Sequence, residues 1–136
     1  GLYSPTLGTA KINGLDIRKS IDQIRKFIGF APQYNVLFLG MTVQEHLSFY
    51  SHLKGLDNKS TIESIRQMLE DTGLQEYSNE RADKLSYGLQ RKLSVAIAFI
   101  GNSKTVILDE PSAGVDPSGR RSIWEILLKY NSGRSI

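Results

Sequence analysis

Thr105-Val106-Ile107-Leu108-Asp109-Glu110-Pro111 is the stretch on which the reading of this chain turns. Its first four residues are β-branched or apolar without polar alternation, as in a central parallel strand covered on both faces. Asp109 and Glu110 then fall at the C-terminal edge of the sheet, and Pro111, which has no amide hydrogen, ends it. Ligands of open parallel sheets bind at that edge. Two carboxylates there suit phosphoryl transfer, which needs a cation to neutralise phosphate charge and a group that orients the attacking water. Asp109 suits the first task, holding Mg²⁺ directly or through water, and Glu110 the second. Taken alone, an apolar run ending in two acids is more often a strand with two solvated side chains.

Working outward, Leu85-Ser86-Tyr87-Gly88-Leu89-Gln90-Arg91-Lys92 lies one helix upstream. A helix is expected from near Ser86 to about Ile100, with Leu89, Leu93, Ile97 and Ile100 as its stripe. A Ser-x-Gly turn opening a helix gathers a hydroxyl, free backbone amides and the positive end of the helix dipole, which suits an anion. The plain alternative is a serine N-cap. Downstream, Pro117 fits the first turn of a last helix with Ile123, Trp124 and Leu127 available for packing.

The earlier half of the chain reads as helices after short strands. Thr9 to Asn13 is a short strand closed by Gly14, Ser20 caps a helix through Lys26, and Phe27 to Ala31 is a buried strand stopped by Pro32. A loop over 33–40 follows. Thr42 with Glu45 forms a capping box ahead of Val43, Leu47 and Tyr50. Ser60 with Glu63 repeats that pattern ahead of Ile62, Ile65 and Leu69, and Gly73 stops the helix. These helices form an insertion between parts of an α/β core. His46 and His52 fall on or near it and read as surface residues.

Composition bounds the rest. A chain of 136 residues with 40% hydrophobic and 23% charged residues is ordinary for a globular domain or part of one. With no cysteine, disulfides and thiolate metal sites are excluded. A net charge of +3 from scattered basic residues gives no reason to expect a nucleic-acid partner. No apolar run reaches the roughly 18 residues of a membrane-spanning helix.

Ala31-Pro32-Gln33, then Leu-Ser-x-Gly, then Ile-Leu-Asp-Glu-Pro-Ser-Ala-Gly-Val-Asp-Pro, in that order, resemble the nucleotide-binding domain of ATP-binding cassette proteins. The finer texture of Arg91-Lys92-Leu93-Ser94-Val95-Ala96, Gly114-Val115-Asp116-Pro117 and Arg120-Arg121-x-Ile123-Trp124-Glu125 is similar to subfamily A, the eukaryotic lipid transporters. The resemblance implies an α/β P-loop NTPase (RecA-like) core with a helical signature-motif subdomain. Residues 1–41 and 101–136 would belong to the core and about 42–100 to the helical part, in a domain cut at both ends.

It also implies roles, residue by residue. Gln33 would join Glu110 in catalysis and Asp109 at Mg²⁺, and its loop would contact the membrane domains. Ser86, Tyr87, Gly88, Leu89 and Gln90 would close over ATP held by a second nucleotide-binding domain in a head-to-tail dimer. Ala113, Gly114, Val115 and Asp116 would run along that interface. The implied function is ATP hydrolysis on the cytoplasmic face of a membrane, powering transport, in subfamily A of lipid. The alternatives are a regulatory half that binds ATP and hydrolyses it slowly, a non-transport cassette ATPase and a non-catalytic binding domain.

Two departures stand out. The pattern has glycine where this chain has Tyr87, and Leu89 stands where glutamine is commonest. If position 87 needed positive φ, tyrosine would be strained by about 1–3 kcal/mol, and Tyr87→Gly would raise turnover modestly; otherwise the ring points away harmlessly. Beyond these two positions, Gly-x-x-x-x-Gly-Lys-[Ser/Thr] occurs nowhere in the 136 residues. The family's phosphate loop and switch histidine are expected outside them, so this stretch alone is expected to bind ATP weakly and to be inactive.

Overall fold

The computed structural model describes residues 4–136. It opens with a hairpin, β1 (Lys11–Ile12) paired antiparallel with β2 (Leu15–Asp16). Asn13 and Gly14 make its turn with φ of 48° and 80°, the left-handed pair that matches strand twist. The expected single strand is therefore a hairpin, and Asn-Gly was the signal for it. Helix α1 (Ile21–Phe27) follows. Ser20 stands at its N-cap position but its side chain makes no capping bond, and Phe27 ends the helix instead of opening the next strand.

Strand β3 (Ile28–Ala31) pairs in parallel with β4 (Thr105–Leu108), Ile28 opposite Thr105 and Ala31 opposite Leu108. The segment between them is built of helices joined by turns: α2 (Val43–Leu53), α3 (Asn58–Thr72), two short 3-10 turns and α4 (Tyr87–Phe99). Helix α5 (Pro117–Tyr130) closes the order, with Pro117 in its first turn as expected. Beyond it Ser135 makes an isolated parallel bridge to Thr105.

Helix α4 is the centre of the core. From Leu93 to Ile100 every residue is buried, and the helix packs on β3 and β4 on one side and on α2, α3 and α5 around it. Among the described residues helix α4 covers one face of the strand pair. Ala31 and Val106 are buried beneath α4, whereas Phe30 and Ile107 are 55% and 46% exposed. The side chains alternate along the pair, and the face bearing Phe30 and Ile107 looks toward Ile12, Ile17, Ile21 and Ile24 across a cavity.

Capping explains other differences. The Thr42–Glu45 box forms in both directions. At α3, however, Asp57 is the cap and accepts from Ser60 N–H at 2.8 Å, so the helix begins before the predicted Ser60 box. Its buried face is Thr61, Ile65, Met68, Leu69 and Thr72; Ile62 lies off that stripe and is 69% exposed. Trp124 likewise faces outward, while Ile123 and Ile126 carry the packing of α5.

His46 is also corrected. It is fully buried, its Nε2 accepts from Phe38 N–H at 3.0 Å and its Nδ1 meets Thr42 O at 2.7 Å. The amide donor fixes the neutral tautomer with the proton on Nδ1. Burial holds its pKa below the ordinary value against opposing help from Thr42 and Glu45. His46 thus pins the 33–40 loop to α2. His52 is exposed, as expected. Among the described residues no helix is long and apolar enough to cross a membrane.

Candidate functional site

The parallel pair ends by delivering two loops to one place. Pro32 stops β3 and releases Gln33; Leu108 ends β4 and releases Asp109, Glu110 and Pro111. Asp109 N–H still donates to Ala31 O at 2.9 Å, so the two chain ends leave the sheet side by side. Gln33 Nε2 donates to Glu110 Oε2 at 2.9 Å. Gln33, Asp109 and Glu110 are all exposed at this edge. Glu110 has φ of 45°, a conformation that costs a non-glycine residue about 1–3 kcal/mol. It is held there by its carbonyl, which accepts from Arg91 and from Ala113 N–H, and by Gln33 on its side chain.

Arg91 is the residue that sequence reasoning passed over. Fully buried, it donates to Pro111 O at 2.9 Å, Asp109 O at 2.6 Å and Glu110 O at 2.9 Å. On the other side it reaches Pro32 O and Asn35 Oδ1. One planar guanidinium therefore ties the loop after β3 to the turn after β4. Burial lowers its pKa, opposed by Tyr87, Asp109 and Glu110, which favour the charge. The signal available was an arginine on the inward side of an otherwise apolar helix, where a lone charge needs buried acceptors.

The signature residues open α4. Ser86 is its N-cap and its Oγ accepts from Leu89 N–H at 3.3 Å, the plain reading of that serine. Tyr87 has helical backbone and is absent from the positive-φ residues, so the anticipated strain is not present. Its ring does not stand clear of the protein: a Cβ built on Gly114 would lie 3.0 Å from Tyr87 Cε1. Gly88 faces Val115 and Asp116, and Leu89 packs partly buried against the core. Gln90 is turned inward and donates to Ala82 O and Leu85 O at 2.9 and 3.3 Å.

The 113–116 loop lies against that first turn. Val115 is buried, Gly114 turns at φ of 70°, and Asp116 caps α5 through Ser118 N–H and Gly119 N–H at 3.1 and 3.2 Å. Its bond from the Ser118 hydroxyl, then the Gly119 amide, keeps the Asp116 carboxyl below its ordinary pKa. Gln33, Asp109 and Glu110 are thus brought together, and Ser86–Gln90 with Ala113–Asp116 form a second group. No hydrogen bond among the described residues joins the signature side chains to Gln33 or the two acids.

The side chains at the strand edge offer hard oxygen donors only, two carboxylates and an amide carbonyl. Among the described residues there is no cluster of three or more His, Cys, Asp or Glu. A cation held here would keep most of its shell for water and substrate oxygen, the habit of Mg²⁺.

The fold is shared with ATP-binding domains of known structure. The ATP-binding subunit of an ABC transporter superposes with a TM-score of 0.86 at 24% identity, covering 99% of this chain and 56% of that one. The dimeric ATP-binding cassette MJ0796, in a post-hydrolysis state bound to ADP and Pi, superposes with a TM-score of 0.85 at 22% identity, covering 98% and 62%. The model of the family described as "ABC transporter" matches residues 1–113, and the chain belongs to that family. Among curated relatives, the human retinal-specific phospholipid-transporting ATPase ABCA4 is 55% identical over 136 residues. Human ATP-binding cassette sub-family A member 2 and human phospholipid-transporting ATPase ABCA7 are each 52% identical. All of this chain aligns in each case, and it spans 6% of the length of these relatives. The resemblance to subfamily A is borne out.

Proposed function

We propose that this chain carries catalytic and signature elements of an ATPase that powers phospholipid transport across or between leaflets of a membrane. The observation that carries the reading is the 2.9 Å bond from Gln33 to Glu110 beside Asp109, at the C-terminal edge of a parallel strand pair. Glu110 orients the attacking water and accepts its proton; Gln33 holds the Glu110 carboxylate in position and can accept from the same water. Asp109, with the Gln33 carbonyl oxygen, would hold Mg²⁺, which when bound supplies positive charge against the phosphates. The nearly enclosed guanidinium of Arg91 keeps the two loops in register without touching substrate.

Residues 1–41 and 101–136 act as parts of the catalytic core and 42–100 as the helical arm that presents the signature. Ser86, Tyr87, Gly88, Leu89 and Gln90 face ATP held by a second nucleotide-binding domain, with Ala113 to Asp116 along the shared surface. Support comes from the free hydroxyl proton of Ser86, the amides at the start of α4 and the exposure of Tyr87 and Gly114. The 33–40 loop, with Tyr34 and Val36 78% and 67% exposed, is the contact to the membrane-spanning part. The placing on the cytoplasmic face follows from the need for ATP. Phospholipid as cargo rests on the names of the relatives.

The test is Glu110→Gln in the full-length protein in phospholipid vesicles. ATP binding is retained and hydrolysis falls by about 10²–10⁴-fold. Hydrolysis at the unmodified rate would overturn the assignment of Glu110 and with it the mechanism.

A further inference from the structure

The tyrosine that stands where the family pattern has glycine finds its partner in this chain's own interface loop. Tyr87 is the first residue of α4, so its position is set by the rigid end of a helix buried from Leu93 onward. A Cβ on Gly114 would meet Tyr87 Cε1 at 3.0 Å and Cζ and Oη at 3.5 Å, which places the aromatic ring against the Gly114 Cα. Gly114 is the free joint of its loop: φ is 70°, and the turn around it is closed by a long 3.4 Å bond from Val115 N–H to Ser112 O. On its C-terminal side the loop is fixed by buried Val115 and by the Asp116 cap on α5. On its N-terminal side Ala113 N–H is bonded to Glu110 O at 3.0 Å. Only the glycine between them lacks such an anchor, and the ring stands there.

We propose that Tyr87 is a positioning residue that clamps the 113–116 loop through Gly114, so that the signature turn and the interface loop move as one unit. The proposal rests on the ATPase reading given above. It reverses the sign expected from sequence: replacing Tyr87 by glycine frees the loop instead of relieving strain. In the assembled protein the clamp presents a preformed edge to the second nucleotide-binding domain, and closure no longer has to order Gly114.

The experiment is a double-mutant cycle in the full-length protein, read by amide hydrogen exchange over 112–116 and by ATP turnover. Tyr87→Gly speeds exchange at Gly114 and Val115 by about tenfold and lowers kcat about threefold to tenfold. Tyr87→Phe, which keeps the ring, retains the exchange protection. Gly114→Ala carries the strain of a positive φ in both backgrounds and adds the contact with the ring only beside Tyr87, so that the two changes are non-additive. Unchanged exchange in Tyr87→Gly, or strictly additive effects, would overturn the clamp. If the unmodified protein hydrolyses no ATP, the ATPase reading fails by itself, while the exchange measurements still decide whether the ring holds the loop.

Discussion

Gln33 and Glu110, 77 positions apart in the chain, share one hydrogen bond of 2.9 Å from amide to carboxylate. The neutrality of the amide matters. A second acid at position 33 would put two carboxylates within bonding distance, where both cannot remain ionised.

Gln33→Glu is therefore expected to set two like charges against each other, so that each disfavours ionisation of the other. At pH 7 its turnover falls about tenfold or more, and the rise of the pH–rate profile moves to higher pH. A profile of unchanged shape would show that the introduced carboxyl is not coupled to Glu110.

Arg91 joins two loops with one buried group, so its removal should be felt in both stability and rate. Arg91→Met leaves the carbonyls of Pro32, Asp109, Glu110 and Pro111 without their donor, at a cost of about 3 kcal/mol or more. Arg91→Lys keeps the charge but loses the fork and recovers only part of this. Denaturant midpoints of the three proteins, beside their kcat values, give the comparison.

Lys54 follows α2 as its C-cap and donates to Ser103 Oγ, with no acid among its salt-bridge partners. Burial pushes its pKa down from 10.5 to about 8. The unfolded chain then holds more protons than the folded one between about pH 8 and 10.5, so stability rises with pH over that window and is flat below it. At neutral pH the buried charge costs about 3 kcal/mol. Lys54→Met is expected to raise the denaturation midpoint at pH 7 and to abolish the alkaline rise.

Gly29 is required by contact alone. A Cβ there would sit 1.8 Å from Ala98 O and 2.7 Å from Ala98 C, backbone atoms of α4 that cannot yield. Gly29→Ala is expected to separate β3 from α4 and destabilise the protein by about 3 kcal/mol or more. Gly40→Ala, with open space around it, serves as the mild comparison. Thermal midpoints of the two variants should differ by many degrees.

Much of the local structure was legible because local rules govern it. The apolar run from Val106 to Leu108 became β4, Thr42 and Glu45 formed their reciprocal cap, Gly73 ended α3 at φ of 66°, and Pro117 opened α5. Where two local rules compete, the stronger prevails in the structure: Asp57 outranks Ser60 as a cap, and Asn13-Gly14 turns a single strand into a hairpin.

The amino-acid sequence by itself determined the family and the order of its motifs, because each motif rests on residue types at short spacing; Gln33, Asp109 and Glu110 were singled out as candidates by their places in those motifs. Tertiary structure alone decided that Arg91 bridges two loops, that His46 is buried, that Trp124 faces outward and that Tyr87 lies on Gly114. Those facts depend on which helix face meets which strand. The contacts that set it join residues from distant parts of the chain, where periodicity carries no information.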